Sequence, residues 1–486
     1  MPIKKQLFTK NNKVLFVIHD LYQDDNMLPA GPAYLAAVLN EAGAKTEAYC
    51  MDIFHYTNEE LEKHLRDNSY DIIGLGFSAA RFSETVVDLC KVIDANKKNA
   101  WFVLGGHGPS PIPEYMLRTT KADVVAIGEA ENTIIDLLQC KINQGDLSKV
   151  DGIAYLKDGE LKITKPNRII YNLDSLPLPL WEIFPMEKYI NSLQLLNQRP
   201  DEISFCLNAN RGCVNRCNFC YRMEKGIRVR SIGNIMNELK ILNERWGVNY
   251  FSFIDELFVI SKKRLLEFEQ GLMQAGLKIK FYCNARVDIL DEEMVEILKR
   301  SGCQFINFGF ESSDNNVLKL MNKNVTVEQN IRALEIVKKV GGIGMGLNFL
   351  WNNLGDTEAS LMRNVELIKQ YNTYYQCRTI RPAIPFPGTD LYYYLIKAGK
   401  LKGPEDFFNK FKNSDLLFIN LMDIPDKRAY ELLLEVNTDL IMDHYTHVKG
   451  DMNEAKFLIQ QLSDLYSGKI TNFRGVRHYK KENKEN

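Results

Sequence analysis

From Lys13 onward, short apolar runs alternate with segments whose apolar residues recur at helical spacing. KVLFVIH (Lys13 to His19) is a continuous apolar run and predicts a buried strand. GPAYLAAVLNEAG (Gly31 to Gly43) has the helical period and ends in glycine. TEAYCMDI predicts a strand, and NEELEKHLRDN predicts a helix with Asn58 as its N-cap. DIIGLGF is a strand, SETVVDLCKVIDAN a helix capped by Ser83, AWFVLGG and VVAIGE are strands, and AENTIIDLLQCKI is a helix. Five βα units with short loops predict a doubly wound, Rossmann-like parallel sheet over residues 1–150. The near-continuous apolar strands agree with burial on both faces.

The texture then changes. GIAYLKDGELKIT (Gly152 to Thr164) predicts a hairpin turning at Asp158-Gly159. NLDSLPLPLWEIFP, with Pro177, Pro179 and Pro185, predicts an extended connector. Hairpin and connector together occupy residues 151–200. Over residues 201–400 the βα rhythm returns, with strands EISFCLNA, NYFSFID, KFYCNARV, FINFGFE, GMGLNFLW and QCRTIRPAI. Six units fall short of the eight of a closed barrel and predict a partial (β/α)6 barrel. Residues 401–486 read as a small helical C-terminal region, ending in the polar tail HYKKENKEN. The fold class is α/β.

Composition narrows the function. The chain of 486 residues is 45% hydrophobic and 25% charged, the profile of a soluble globular protein. A net charge of −1 provides no field for nucleic acid, and no nucleic-acid partner is expected. No apolar run reaches the roughly 20 residues of a membrane span. The polar N-terminus MPIKKQLFTKNNK does not read as a signal peptide, so the expected location is cytoplasmic.

In the second half, RGCVNRCNFCYR (Arg211 to Arg222) packs Cys213, Cys217 and Cys220 into a C-x3-C-x2-C spacing, while the other seven cysteines stand singly. Three thiolates do not close a tetrahedral zinc site, which takes four ligands. Zinc with Cys206 as a fourth ligand stays open, although that residue falls within a strand pattern. An iron–sulfur cubane normally takes four cysteines. Held by three, it keeps one iron open to bind and activate a small molecule. The loop follows the first barrel strand, at the carboxyl end where barrels place chemistry.

This spacing, with Phe219 before the last cysteine, resembles the signature of radical S-adenosylmethionine enzymes. The first 150 residues resemble the cobalamin (B12)-binding domain found upstream of many such barrels. That likeness rests on Pro29 to Ala37, Asp71-Ile72-Ile73-Gly74, Gly105-Gly106-His107 and Gly128-Glu129-Ala130-Glu131. In the barrel it rests on Phe253-Ile254-Asp255-Glu256, Asn284-Ala285-Arg286, Gly309-Phe310-Glu311-Ser312 and Pro385 to Thr389. The resemblance implies a [4Fe–4S] cluster on Cys213, Cys217 and Cys220. It implies S-adenosylmethionine near Phe219, Asp255, Arg286, Glu311 and Asn348. It implies cobalamin against Ser78, Gly105, Gly106, His107, Gly128 and Glu129. His107 also reads as a turn residue, and Glu311 as the cap of the helix in DNNVLKLM. Cys283 and Cys303 read as core.

The implied activity is cobalamin-dependent methylation of an unactivated carbon, or phosphorus, of a small-molecule or lipid-like substrate. A 5′-deoxyadenosyl radical would open the substrate bond, and a low-potential donor such as flavodoxin or ferredoxin would supply electrons. The alternatives are a non-methylating cyclisation, ring rearrangement, oxidation or carbon–carbon coupling, and a non-enzymatic cobalamin-binding sensor. Methylthio transfer to tRNA would need a second cluster on Cys50, Cys90 and Cys140, two of which fall in helix patterns. Two departures from the family stand out. After the first strand the chain reads HDLYQDDNMLPAG, without the D-x-H-x-x-G of cobalt-ligating relatives, so His19 is not read as a cobalt ligand. After the fifth barrel strand, Trp351-Asn352-Asn353-Leu354-Gly355-Asp356-Thr357 replaces the usual G-x-P-G-E-T.

Overall fold

The computed structural model describes residues 7–20, 26–412 and 414–470. The tail HYKKENKEN and the start of the loop at Asp24 lie outside the described residues. The chain forms two compact units, Met1–Val214 with Tyr221–Glu256, and Asn215–Cys220 with Leu257–Asn486.

Seven strands build the sheet of the first unit: β1 (Lys13–Ile18), β2 (Lys45–Cys50), β3 (Ile72–Gly76), β4 (Trp101–Gly105), β5 (Val124–Ala126), β6 (Ile153–Lys157) and β7 (Glu160–Ile163). Their order is β2-β1-β3-β4-β5-β6-β7. β1 to β5 are parallel. The order reverses beside β1, the switch point where such sheets hold ligands. Val14, Leu15, Ile72, Ile73, Phe102, Leu104, Val124 and Val125 are buried, each contributing about 1.5–3 kcal/mol of hydrophobic stabilisation. The hairpin expected in the connector instead extends this sheet, because Val125 pairs antiparallel with Ala154 and Ala126 with Ile153. The cap of the helix Asn58–Asp67 is Thr57 rather than Asn58: its hydroxyl accepts from the Glu60 N–H, and the Glu60 carboxylate accepts from the Thr57 N–H. The connector docks through Tyr189, whose hydroxyl lies 2.9 Å from both oxygens of the buried Asp52.

The first unit continues with β8 (Ser204–Leu207), β9 (Asn210–Cys213), β10 (Gly226–Val229) and β11 (Tyr250–Phe253). β8 and β11 pair in parallel, while β9 and β10 form an antiparallel ribbon. The run EISFCLNA is therefore broken after Leu207. Buried Asp255 takes the backbone N–H groups of Ala209 and Asn210, which turns the chain out of the sheet.

The second unit holds β12 (Lys280–Ala285), β13 (Cys303–Glu311), β14 (Gly344–Trp351) and β15 (Arg381–Pro382), parallel and paired in that order. Side chains alternate across a strand, so one face carries Cys283, Ile306, Phe308, Leu347 and Phe349, all buried. The opposite face carries Asn284, Asn307 and Asn348. Cys283 and Cys303 are core residues with sulfurs 4.0 Å apart. The helices Asp426–His447 and Met452–Tyr466 share a core of Leu416, Ile441, Leu458 and Leu462, against which Cys377 packs. Asn437 binds both the N–H and the carbonyl of Ile380, at 2.8 and 2.9 Å. Asn352 likewise grips the Ile419 carbonyl and the Leu421 N–H, each at 2.9 Å. The C-terminal segment is thus stitched to the strands.

Candidate cofactor site

The ribbon β9–β10 carries the cysteine loop as its connection, with Cys213 opposite Gly226. Gly212 has φ +84°, and a Cβ there would sit 2.3 Å from the Gly226 carbonyl oxygen, so glycine is required. The Glu256 carboxylate accepts the Gly212 N–H at 3.0 Å. Burial pushes Asp255 up to about 7, against the two backbone N–H groups that favour its charge. Asp255 therefore fixes the turn into the ribbon, and its carboxylate is already engaged.

In the second unit, the Cys220 N–H donates to the Cys217 carbonyl at 3.1 Å. Buried Asn218 anchors the segment. Its N–H reaches the Met321 carbonyl, its carbonyl accepts from Leu391, and its amide pairs reciprocally with that of Asn353 at 3.1 Å. The Trp351–Thr357 loop, where the chain departs from the family, is thus a brace. Buried Asp356 accepts the Asn353 N–H and the Ser360 hydroxyl. Beside Cys217, Lys323 pairs with Glu311 at 2.7 Å. Burial lowers the Lys323 pKa, but the charges of Glu311 and Cys217 outweigh it and hold the ammonium above its usual range. Glu311 has φ +65°, a strained position for a residue with a Cβ. It does not cap the following helix; Asp314 does, accepting from Asn316 and Val317. Gly309 leaves the space for the ion pair, since a Cβ there would lie 2.4 Å from the Glu311 carboxylate.

Arg286 forks onto Asp288 at 2.8 and 2.7 Å, leaving a buried Nη1 without a partner among the described residues. Asn348 donates to the Asn307 carbonyl oxygen and to the Phe308 backbone, each at 2.9 Å, and Asn307 donates to Asn284 at 3.1 Å. Phe219 is half-buried. All ten thiols are free of disulfides; Cys213 and Cys217 are half-buried and Cys220 is exposed. Among the described residues no three His, Cys, Asp or Glu side chains are gathered in metal-binding geometry. The fit to a cluster rests on the donor set: three free thiols in one short loop, with a lysine ammonium beside one of them.

The first unit contains a cavity of about 350 Å³ at the carboxyl ends of β4 and β5. Gly106, His107, Gly128 and Glu129 line it; the exposed Ser78 and the half-buried Gly105 do not. Gly128 has φ +82°, and a Cβ there would meet Glu224 at 2.8 Å. Glu129 is held by Arg228 at 2.8 Å and Arg211 at 3.2 Å, and Arg211 also pairs with Glu131 at 2.7 Å. Burial alone would raise Glu129, but the hydrogen bond from Arg228 and the charge of Arg211 hold it below the usual range. The Arg211 guanidinium lies 4.9 Å from the centre of the Tyr34 ring. The His107 ring meets Tyr221 edge-on at 5.9 Å. The exposed backbone at Gly31 and the glycines of these turns admit close approach of a ligand. The cavity's volume lies within the roughly 300–1,000 Å³ of small-molecule ligand pockets.

Sequence reasoning missed Lys323, Arg211, Arg228, Asn307 and the Asn218–Asn353 pair. The atypical loop Trp351 to Thr357 was the one signal that marked the place of Asn353.

Residues 207–368 match the model of the Radical SAM superfamily, and residues 24–138 match that of the B12 binding domain. The chain thus carries the pair of domains of a cobalamin-dependent radical SAM enzyme. Members of this family work with a [4Fe–4S] cluster, S-adenosylmethionine and cobalamin, and these are the cofactors of this radical SAM enzyme. An uncharacterized methyltransferase of Pyrococcus horikoshii is 28% identical over 377 residues, 76% of this chain and 78% of the relative. The anaerobic magnesium-protoporphyrin IX monomethyl ester cyclase of Rubrivivax gelatinosus is 29% identical over 382 residues, 74% of this chain and 66% of its own. The solved cobalamin-dependent S-adenosylmethionine radical enzyme OxsB, with aqua-cobalamin bound, superposes with a TM-score of 0.64 at 22% identity. That match covers 87% of this chain and 61% of OxsB, so this radical SAM enzyme spans less than two thirds of that structure. The likeness is one of fold: an N-terminal parallel sheet, a curled parallel half-barrel and C-terminal helices. No helix among the described residues is long and apolar enough to cross a membrane.

Proposed function

We propose that this chain is a cobalamin-dependent methyltransferase acting on an unactivated carbon, or phosphorus, of a small-molecule or lipid-like substrate. The observation that supports the reading is the loop of three free thiols, which would leave one iron of a cluster without a protein ligand, in a chain that also matches the B12 binding domain. When bound, the cluster with S-adenosylmethionine supplies a 5′-deoxyadenosyl radical, and cobalamin supplies the methyl group. Cys213, Cys217 and Cys220 would hold the cluster. Asn218, locked by Asn353, would fix the backbone between the second and third of them. The Lys323 ammonium would offset negative charge beside Cys217. The unpartnered Nη1 of Arg286 would take a carboxylate oxygen of S-adenosylmethionine, with Glu311 and Asn348 as further contacts and Phe219 beside the cluster. Asp255 would act through the turn it holds. Gly106, His107, Gly128 and Glu129 would line the cobalamin site, with Ser78 and Gly105 at its margin, and with no imidazole on cobalt. The domains follow as 1–150, 151–200, 201–400 and 401–486. A reducing cytoplasm with a low-potential flavodoxin or ferredoxin as donor suits this chemistry.

The cyclase name of the Rubrivivax relative supports a second reading, radical chemistry without methyl transfer. Mass spectrometry of the reconstituted, reduced enzyme separates the two. 5′-Deoxyadenosine together with S-adenosylhomocysteine supports methylation, and deoxyadenosine alone supports the second reading. Neither product would refute both.

A further inference from the structure

We propose that Arg378, set over the asparagine-bearing face of β13 and β14, anchors an oxyanion of the substrate, either a carboxylate or a phosphoryl group. The inference rests on the reading of this chain as a radical enzyme.

A parallel strand buried on both sides should be apolar on both sides. Here one face is polar in three successive strands: Asn284 lies opposite Asn307, and Asn307 opposite Gly346, two residues before Asn348. The three amides are bonded in series, and the end of the series, the Asn348 carbonyl oxygen, accepts from Arg378 Nη1 at 3.0 Å. The series therefore orients the guanidinium. Phe305 supports its flat face, with the guanidinium carbon 5.3 Å from the ring centre. Gly346 makes room for it, because a Cβ there would lie 2.8 Å from Nη2 and 2.2 Å from the Asn307 oxygen.

A guanidinium has five donors in a rigid fork, and buried forks are matched by carboxylate or phosphate. Arg378 Nε and Nη2 are buried with no partner, and among the described residues no carboxylate pairs with this arginine. The neighbouring Cys377 packs the other way, into the core of the C-terminal helices. Burial, together with the like charge of Arg381, lowers Arg378 to about 10, so it stays charged near neutrality. An unpaired buried charge is costly and is relieved by an anion bound in the fork.

Thermal melts of the full-length chain in sodium phosphate, sodium acetate and sodium chloride at equal ionic strength test this. Phosphate or acetate should raise the melting temperature saturably above chloride, and the more effective anion names the class. In R378M the half-saturating concentration should rise about 10- to 100-fold, the worth of a hydrogen bond to a charged group. If R378M does not fold, R378K decides, since it keeps the charge and loses the fork; it should weaken the anion by at least about 10-fold. Absence of anion stabilisation in the wild type, or an unchanged half-saturation in the folded variant, overturns the site. Equilibrium dialysis of S-adenosylmethionine against the reconstituted R378K enzyme gives the source. Unchanged affinity supports a substrate oxyanion, and a matching loss assigns the fork to S-adenosylmethionine and overturns the substrate assignment. Failure of the reconstituted wild type to form deoxyadenosine would sink the enzymatic reading while leaving the anion melts readable.

Discussion

Replacing Asn353 by alanine tests whether the loop that departs from the family is a brace for the cysteines. The change removes both amide–amide hydrogen bonds to Asn218 and the acceptor of the Leu354 N–H at 2.7 Å. Asn353 is fully buried and Asn218 nearly so. The Asn218 side chain keeps the Leu320 carbonyl at 3.2 Å for its donor, but its oxygen loses this partner. An orphaned buried acceptor costs about 1–3 kcal/mol and each lost neutral hydrogen bond about 1 kcal/mol, so ~2–4 kcal/mol is expected. The effect should appear as local opening of the 215–220 segment. Hydrogen exchange on the intact chain should then speed up in peptides covering Cys217 to Cys220 by about 30- to 1,000-fold, at 1.4 kcal/mol per decade. The double variant N218A/N353A removes both partners and should cost less than the sum of the singles, with a coupling of at least about 1 kcal/mol. Additive effects, or unchanged exchange in that segment, would refute the brace.

Three further outcomes are expected. Cys213, Cys217 and Cys220 replaced together by alanine should leave the chain folded but unable to take up about four irons on anaerobic reconstitution; retained iron would remove the cluster from this loop. Burial pushes Asp52 up to about 7, whereas an unfolded carboxyl titrates near 4. Below about 4 both states are protonated; between about 4 and 7 only the unfolded state ionises, so stability falls as pH rises, by up to ~4 kcal/mol, then levels. D52N, which keeps an acceptor for the Tyr189 hydroxyl, should flatten that fall in pH-dependent melting, and an unchanged slope would count against the assignment. Truncation after residue 404 strips Asn437 from Ile380 and removes the core of Leu416, Ile441 and Leu458 against which Cys377 packs, so the shortened chain should lose cooperative melting of the second unit; a sharp, unshifted melt would show the segment to be dispensable.

The strands were legible because a buried strand writes its environment into contiguous apolar residues, as in KVLFVI and IIGLG. The hairpin was legible as a turn, but its partner was not, since strand pairing at a sheet edge leaves no local pattern. Thr57 was overlooked as a cap because Asn58 beside it has equal capping chemistry, and only the reciprocal Glu60 contact decides. The cysteines stood out through spacing. Lys323 and Asn353 did not, because each acts through a residue more than a hundred positions away, Cys217 and Asn218 respectively. Asp255 was marked by its place after a strand, but its engagement with two backbone N–H groups depends on a turn that the sequence pattern read as continuous strand.

The grip of Asn437 on Ile380 has a consequence for self-association. β15 is the last strand of its row, and a last strand normally offers a free ladder of N–H and carbonyl groups on which another chain can add. Here that ladder is only two residues long; Pro382 has no N–H, and the outward groups of Ile380 just before it are already taken by a helix side chain. The asparagine imitates a neighbouring strand for one residue and then stops. The side of the second unit that would otherwise be the natural template for sheet-to-sheet polymerisation is therefore blunted from within the same chain. N437A should reveal it: light scattering at concentrations where the wild type stays clear should rise with time, as the uncovered backbone finds a second copy to pair with.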